Sequence, residues 1–331
     1  MESLQKKSNF NMSEWMVKYP QLGTGLLFVV LCIIFIIFSP TNKAGDNVFL
    51  TAQNWTSILE STAGFSIGAF AMALVLLTGG IDLSAGAVMA FTGMVVAKLM
   101  EHTSLPLPLI IVISLGLGLL SGLFNGFIIV RFKVPPFLAT LGTAGILQGL
   151  GYMIADGKSV YVTNESFTRI FGFGQFLGVP MLAWWTLLFT IIMYLLISKT
   201  KFGRRAQAIG GNEEAAHNSG INVSAMKCAA YGIMGLVSAF VVLTTIGRLG
   251  SAVPTQGQGY ELQFIVAAVL GGTGFSGQGG NVFSVLLGSL VLGVLLNGMT
   301  LVGVNYYLQA VIKGLVIIMA VIVTLQLSRK K

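Results

Sequence analysis

The sequence predicts an all-α integral membrane protein of about ten transmembrane helices, some short or broken, with both termini cytoplasmic. Three observations carry that prediction. Only 9% of the 331 residues are charged and 55% are hydrophobic, whereas a soluble domain carries roughly 25% charged residues. The 42 glycines fall within apolar runs, as they do where membrane helices pack closely. The basic residues are distributed unevenly between the two sides that a ten-span path defines.

A helix needs about 20 apolar residues to cross roughly 30 Å of hydrocarbon. Segments 21–39, 58–78, 108–130, 181–198, 225–247, 282–300 and 305–327 meet that length plainly. Segments 82–100, 136–155 and 262–275 are short, glycine-interrupted or fronted by proline, and are expected to be broken or re-entrant. Irregular backbone at membrane depth survives only where protein buries it or a wet cavity borders it. These three are therefore expected to line the inside of the bundle. The domain reading is a cytoplasmic segment 1–20, one transmembrane domain 21–328 with a charged cytoplasmic loop 199–227, and a basic tail 329–331.

Short cytoplasmic loops are enriched in Lys and Arg. With the N-terminus inside, the inner set is Lys6, Lys7, Lys18, Arg131, Lys133, Lys199, Lys201, Arg204, Arg205, Lys227, Arg329, Lys330 and Lys331. The outer set is Lys43, Lys98, Lys158, Arg169 and Arg248, and Lys313 falls within the last span. An odd number of spans would put one basic terminus outside. The net charge of +8 is explained by a basic inner face beside anionic membrane lipid, with no need for nucleic acid. The first apolar run is followed by Ser39-Pro40-Thr41-Asn42 instead of a small-residue cleavage site, so it reads as an uncleaved anchor. Cys32 and Cys228 are isolated within spans and support neither a disulfide framework nor a metal site.

The loop TKFGRRAQAIGGNEEAAHNSGINVSAMK at 200–227 concentrates charge. Gly210 and Gly211 break the chain, and Asn212 can cap a helix. Glu213 and Glu214 then occupy a first turn, where acids favour the positive end of the dipole, and Gly220 can terminate it. The result is a helix of about two turns, too short to be stable alone. It is either a well-capped solvated connection or, with Arg204, Arg205 and His217, a docking surface for another protein. The chain contains no engine of its own. GGTGFSGQGG at 271–280 lacks the lysine of a phosphate loop, and no chain of buried acids suggests a proton relay.

Three stretches resemble the signatures of one known family: LLTGGIDLSAGA at 76–87, TKFGRRAQAIGGNEEAAHNSGIN at 200–222 and PTQGQGYELQFIVAAVLGGT at 254–273. They are similar, in order and in spacing, to motifs of the ribose-type (monosaccharide) permeases of bacterial ABC importers, in register from about residue 50 to the C-terminus. The resemblance implies a multi-pass subunit of the bacterial inner membrane, working beside a second permease copy or paralogue. It implies a separate cytoplasmic ABC ATPase, which binds ATP and Mg and docks on 212–219. It further implies an extracytoplasmic sugar-binding protein that delivers ribose or a similar sugar. No cofactor is expected in this chain. Two departures stand out: GIDLSAGA replaces the family's GIDLSVGS, and Gln263 in YELQFIV stands where the family commonly has Asp. Any role of that acid does not carry over.

Other residues admit a structural and a functional reading. Gly79, Gly80, Asp82 and Ser84 form a turn in which Asp82 or Ser84 caps the next helix or makes a gating contact. Asn125, Gln148 and Asn297 are amides inside apolar helices. They either hold neighbouring helices or line a substrate path. Arg248, Gln256, Tyr260 and Glu261 lie in an outer polar stretch, 248–262, that reads as a plain loop, an outer gate or a binding-protein contact. Glu60 is expected on the same rim. Lys313 either snorkels to an interface or pairs within the bundle. The rival function is a stand-alone ion-coupled carrier or channel, for which Asp82 is the one serious acid. An enzyme is disfavoured: His102 and His217 are predicted on opposite sides, and no paired in-membrane aspartates occur. Gly79-Gly80 against Gly271-Gly272 and Asn125-Gly126 against Asn297-Gly298 give different offsets, so no internal repeat is claimed.

Overall fold

The computed structural model describes residues 20–274, 279 and 281–328. The expected segment 1–20 therefore lies outside the described residues except for Pro20. The tail 329–331 and part of the glycine run 271–280 lie outside them too. The described chain is helical: α1 Pro20–Phe38, α2 Ala52–Leu77, α3 Ala85–His102, α4 Leu107–Phe132, α5 Pro136–Ile154, α6 Met181–Tyr194, α7 Lys201–Gly211, α8 Glu213–Asn218, α9 Val223–Leu249, α10 Tyr260–Leu270, α11 Val282–Leu301 and α12 Tyr306–Ser328. Among the described residues six stretches are long and apolar enough to cross a membrane: α2, α4, α5, the run Met181–Lys199, α9 and α11. Shorter apolar helices run over Leu22–Phe38, Tyr260–Leu270 and Tyr306–Met319.

α4 crosses α9 along one face with almost nothing between their backbones. A Cβ added at Gly118 would stand 2.4 Å from the Gly235 carbonyl oxygen, and one at Gly122 would stand 2.0 Å from that of Tyr231. At Gly126 it would stand 2.6 Å from the Cα of Cys228. Three glycines four residues apart thus form one stripe, and the gain is close contact that lipid tails could not supply. α2 and α9 are buried over most of their length, so the core lies around these two helices.

Two expectations about the weaker spans need correction. α5 is an unbroken helix that does not lie inside the bundle. Its buried residues Ala139, Thr140, Thr143, Leu147 and Gly151 fall on one stripe, while Leu138, Leu141, Ile146 and Met153 are exposed. Pro135 and Pro136 stand at its cap and first position, where proline starts a helix without breaking one. α10 is short, as expected, with 11 residues, about 16 Å at the helical rise. It begins beside the midpoint of α2: the Tyr260 ring packs on Phe65 at 5.2 Å, and Phe264 fills the space beside Gly68. Glu261 is consequently half-buried at that depth, not at an outer rim.

Beyond the end of α9 opposite the charged loop, two short antiparallel pairings occur. Val160–Tyr161 pairs with Ser251–Ala252, and Gln175–Phe176 pairs with Val179–Pro180. Near them Phe171 stacks on Trp185 at 5.7 Å, and both rings meet Phe240 of α9.

Candidate functional site

The charged loop is a hairpin of two helices. The sequence showed the second one only. Thr200 caps α7 by accepting from the amides of Phe202 and Gly203, and Gly203, Ala206 and Ile209 are buried beneath it. Gly210 and Gly211 are the last residues of α7, so the break comes one residue later than expected, at Asn212. That side chain accepts from the Ala215 amide at 2.9 Å and starts α8. Gly220, at φ +80, closes the hairpin in the left-handed region that glycine adopts freely.

Lys227 of α9 pairs with Glu213 at 2.7 Å, which ties α8 to the long helix behind it. Arg204, Arg205, Glu214 and His217 are exposed. Among the described residues Glu214 has no ion pair or hydrogen bond to a side chain.

The second cluster gathers around residues 79–84. Here three helices grip a loop whose backbone would otherwise strand polar groups in an apolar setting. Tyr231 of α9 donates its hydroxyl to the Ile81 carbonyl at 3.2 Å. The Leu83 amide donates to Thr140 of α5 at 3.1 Å, and Asn125 of α4 donates to the Ser84 hydroxyl oxygen at 2.8 Å. Asp82, 1% exposed, accepts from the Ser84 amide at 2.8 Å and from its hydroxyl at 2.6 Å. The expected side-chain cap is not formed: Ser84, at the cap position of α3, makes no side-chain capping bond, and Asp82 accepts from Ser84 itself and not from an amide of the first turn. Gly80 has to be small, because a Cβ there would lie 2.4 Å from the Tyr231 hydroxyl.

The third motif meets the first at the same depth. A Cβ on Gly86, in the opening turn of α3, would stand 2.3 Å from both the Gly257 carbonyl oxygen and a Glu261 carboxylate oxygen. Gln148 of α5 donates to the Pro254 carbonyl. Gln256 is buried at 6% exposure, and its side-chain oxygen has no partner. Arg248 ends α9 and is half-buried. Tyr260 packs against Phe65 and Phe264. The structure therefore joins Asp82, Ser84 and Asn125 in one group, while Gln148 and Glu261 each hold the backbone of the segment that contains Gln256, at Pro254 and Gly259. Asn297 stands apart on α11, beside Gly298, which packs on Phe35 of α1. Lys313 lies 5.9 Å over the Tyr306 ring, turned back along its own helix, and Glu60 is half-buried on α2.

Comparison with known proteins decides the family. The model of the branched-chain amino acid transport system permease component matches residues 54–321. The chain belongs to that permease family. The ribose import permease protein of Bacillus subtilis (strain 168) is 41% identical over 313 residues, covering 94% of this permease and 93% of the relative. The ribose import permease protein of Escherichia coli (strain K12) is 36% identical over 314 residues, 93% and 94% of the two chains. The L-arabinose transport system permease protein of the same strain is 36% identical over 312 residues, 92% and 90% of the two. No solved structure matches this permease.

Sequence reasoning missed Tyr231, Thr140 and the tie from Lys227. The one usable signal was a tyrosine next to glycine within an apolar helix. Its hydroxyl needs a partner when buried, but the sequence does not say that the partner lies 150 residues earlier.

Proposed function

We propose that this chain is the transmembrane permease subunit of an ATP-binding-cassette importer for ribose or a similar monosaccharide. The substrate class is inferred from relatives whose names specify ribose, allose and arabinose. A cytoplasmic ATPase supplies the energy, and an extracytoplasmic binding protein delivers the sugar. The permease works beside a second copy or a paralogue in a bacterial inner membrane. It crosses about ten times with both termini cytoplasmic, as the distribution of Lys and Arg favours.

The observation that carries this reading is the α7–α8 hairpin. In a chain with 9% charged residues, a capped, charged two-helix unit, whose Glu214 is unpaired among the described residues, is tied by Lys227 to a helix of 27 residues. That helix reaches, through Tyr231, the loop 79–84 in the middle of the bundle. ATPase closure displaces the hairpin, α9 carries the displacement one turn, about 6 Å, from Lys227 to Tyr231, and the central loops rearrange. Arg204, Arg205, Glu213, Glu214 and His217 form the docking side. The sugar passes unchanged.

Mass spectrometry of what co-purifies from native membranes in mild detergent tests this reading. An ATPase with a phosphate loop, in equal amount, is the expected result. A clean homo-oligomer that persists after cross-linking in the intact membrane would overturn it.

A further inference from the structure

Residues 253–259 form a strap across the opening turn of α3. Its backbone hydrogen bonds are local: Gln256 donates to Val253 at 2.9 Å, Gln258 to Thr255 at 3.1 Å and the Tyr260 amide to Gly257 at 2.9 Å. These are successive turns that stay intact if the strap moves as a unit. It is flanked by Gly250 at φ +65 and Gly259 at φ +83, conformations that L side chains adopt rarely. At one end it is anchored by the two-residue pairing of Ser251–Ala252 with Val160–Tyr161. At the other it runs straight into α10.

Among the described residues, one hydrogen bond ties the strap to a different helix, the donation from the Gln148 amide to the Pro254 carbonyl. Gly257 packs directly against Gly86 and Met89. Within the strap, Gln256 has a buried side-chain oxygen without a hydrogen-bond partner among the described residues. A buried acceptor left unpaired disfavours the closed position, since water satisfies that oxygen once the strap lifts. On the other side Thr255 and Gln258 are exposed. The closed strap is thus a position with one specific tie and one polar group that gains by leaving it.

We propose that Gln148 is the latch of an outer gate formed by residues 253–259, a positioning residue that acts on transport by holding this strap over the N-terminus of α3. The proposal rests on the importer reading and on its orientation. It goes beyond them in naming a release point: docking of the binding protein outside breaks the bond from Gln148, and the strap turns on its glycines.

The test uses the full chain in intact cells, with Cys32→Ser and Cys228→Ser, and a membrane-impermeant maleimide. Gln256→Cys is expected to react slowly while Gln148 is present. It should react roughly tenfold faster with Gln148→Met, the factor for one lost hydrogen bond. Thr255→Cys should react fast in both backgrounds, which shows that both proteins are inserted and folded. A Gln256→Cys rate that does not change with Gln148→Met overturns the latch. Faster labelling with binding-protein-dependent uptake and its basal ATP hydrolysis both unchanged overturns the gate. The labelling needs neither ATPase nor binding protein, so a failure of the importer reading leaves it interpretable.

Discussion

Lys227 and Glu213 sit 2.7 Å apart across the junction of α8 and α9, with the lysine side chain 16% exposed and the glutamate 57%. The glutamate's exposure keeps the pair's stability contribution small, about 0.2–1 kcal/mol. Its effect is geometric, because it sets the angle at which the hairpin meets the long helix. Lys227→Glu should reduce ATPase co-purification and uptake while shifting the melting temperature little. The double variant Lys227→Glu with Glu213→Lys should restore both. Uptake that falls equally in single and double variants would remove the tie from the mechanism.

Among the described residues Glu214 has no such partner, so it is the cleaner probe of docking. Glu214→Arg should weaken ATPase association at an unchanged melting temperature in detergent. Association at the normal level would show that the partner docks elsewhere on the hairpin.

The crossing of α4 and α9 gives a prediction that needs no functional assumption. Gly122→Ala puts a methyl 2.0 Å from the Tyr231 carbonyl oxygen, whereas Gly116 on the same helix has nothing within 4 Å of its Cβ position. Overpacking of this kind costs about 1–3 kcal/mol and sometimes more. Gly122→Ala should therefore accumulate poorly in membranes and melt early, and Gly116→Ala should match the parent on both counts.

Asp82 separates the importer from an ion-driven carrier. Both of its hydrogen bonds accept from Ser84, and an asparagine oxygen accepts them equally well. Asp82→Asn should keep most of the uptake, while Asp82→Ala, which leaves a buried amide and hydroxyl unpaired at about 1–3 kcal/mol, should lose stability. Abolished uptake in a stable Asp82→Asn protein would favour an ion gradient as the energy source.

The spans were legible wherever lipid is the only solvent to satisfy. Apolar runs such as 108–130 and 225–247 lie within α4 and α9. The caps at Asn212 and Gly220 were legible for a similar reason, because they are local chemistry. What stayed hidden depends on partners far along the chain. Gln148 and Asn125 look alike in sequence, as single amides in apolar helices, yet one holds the strap and the other holds Ser84. Nor does composition distinguish the exposed α5 from the buried α2, since in lipid both faces of a helix are apolar. Helix α7 was missed because its glycines and arginines read as loop, while its anchor is the buried stripe Gly203, Ala206 and Ile209.

The meeting of Gly86 with Gly257 also bears on how the protein is made. About 170 residues separate the two, which at roughly 5–20 residues per second is about 10–30 s of synthesis. For that interval the opening turn of α3 has emerged without the segment that later packs on it. The contact that joins the first and third motifs can therefore form only once the last third of the polypeptide has been made.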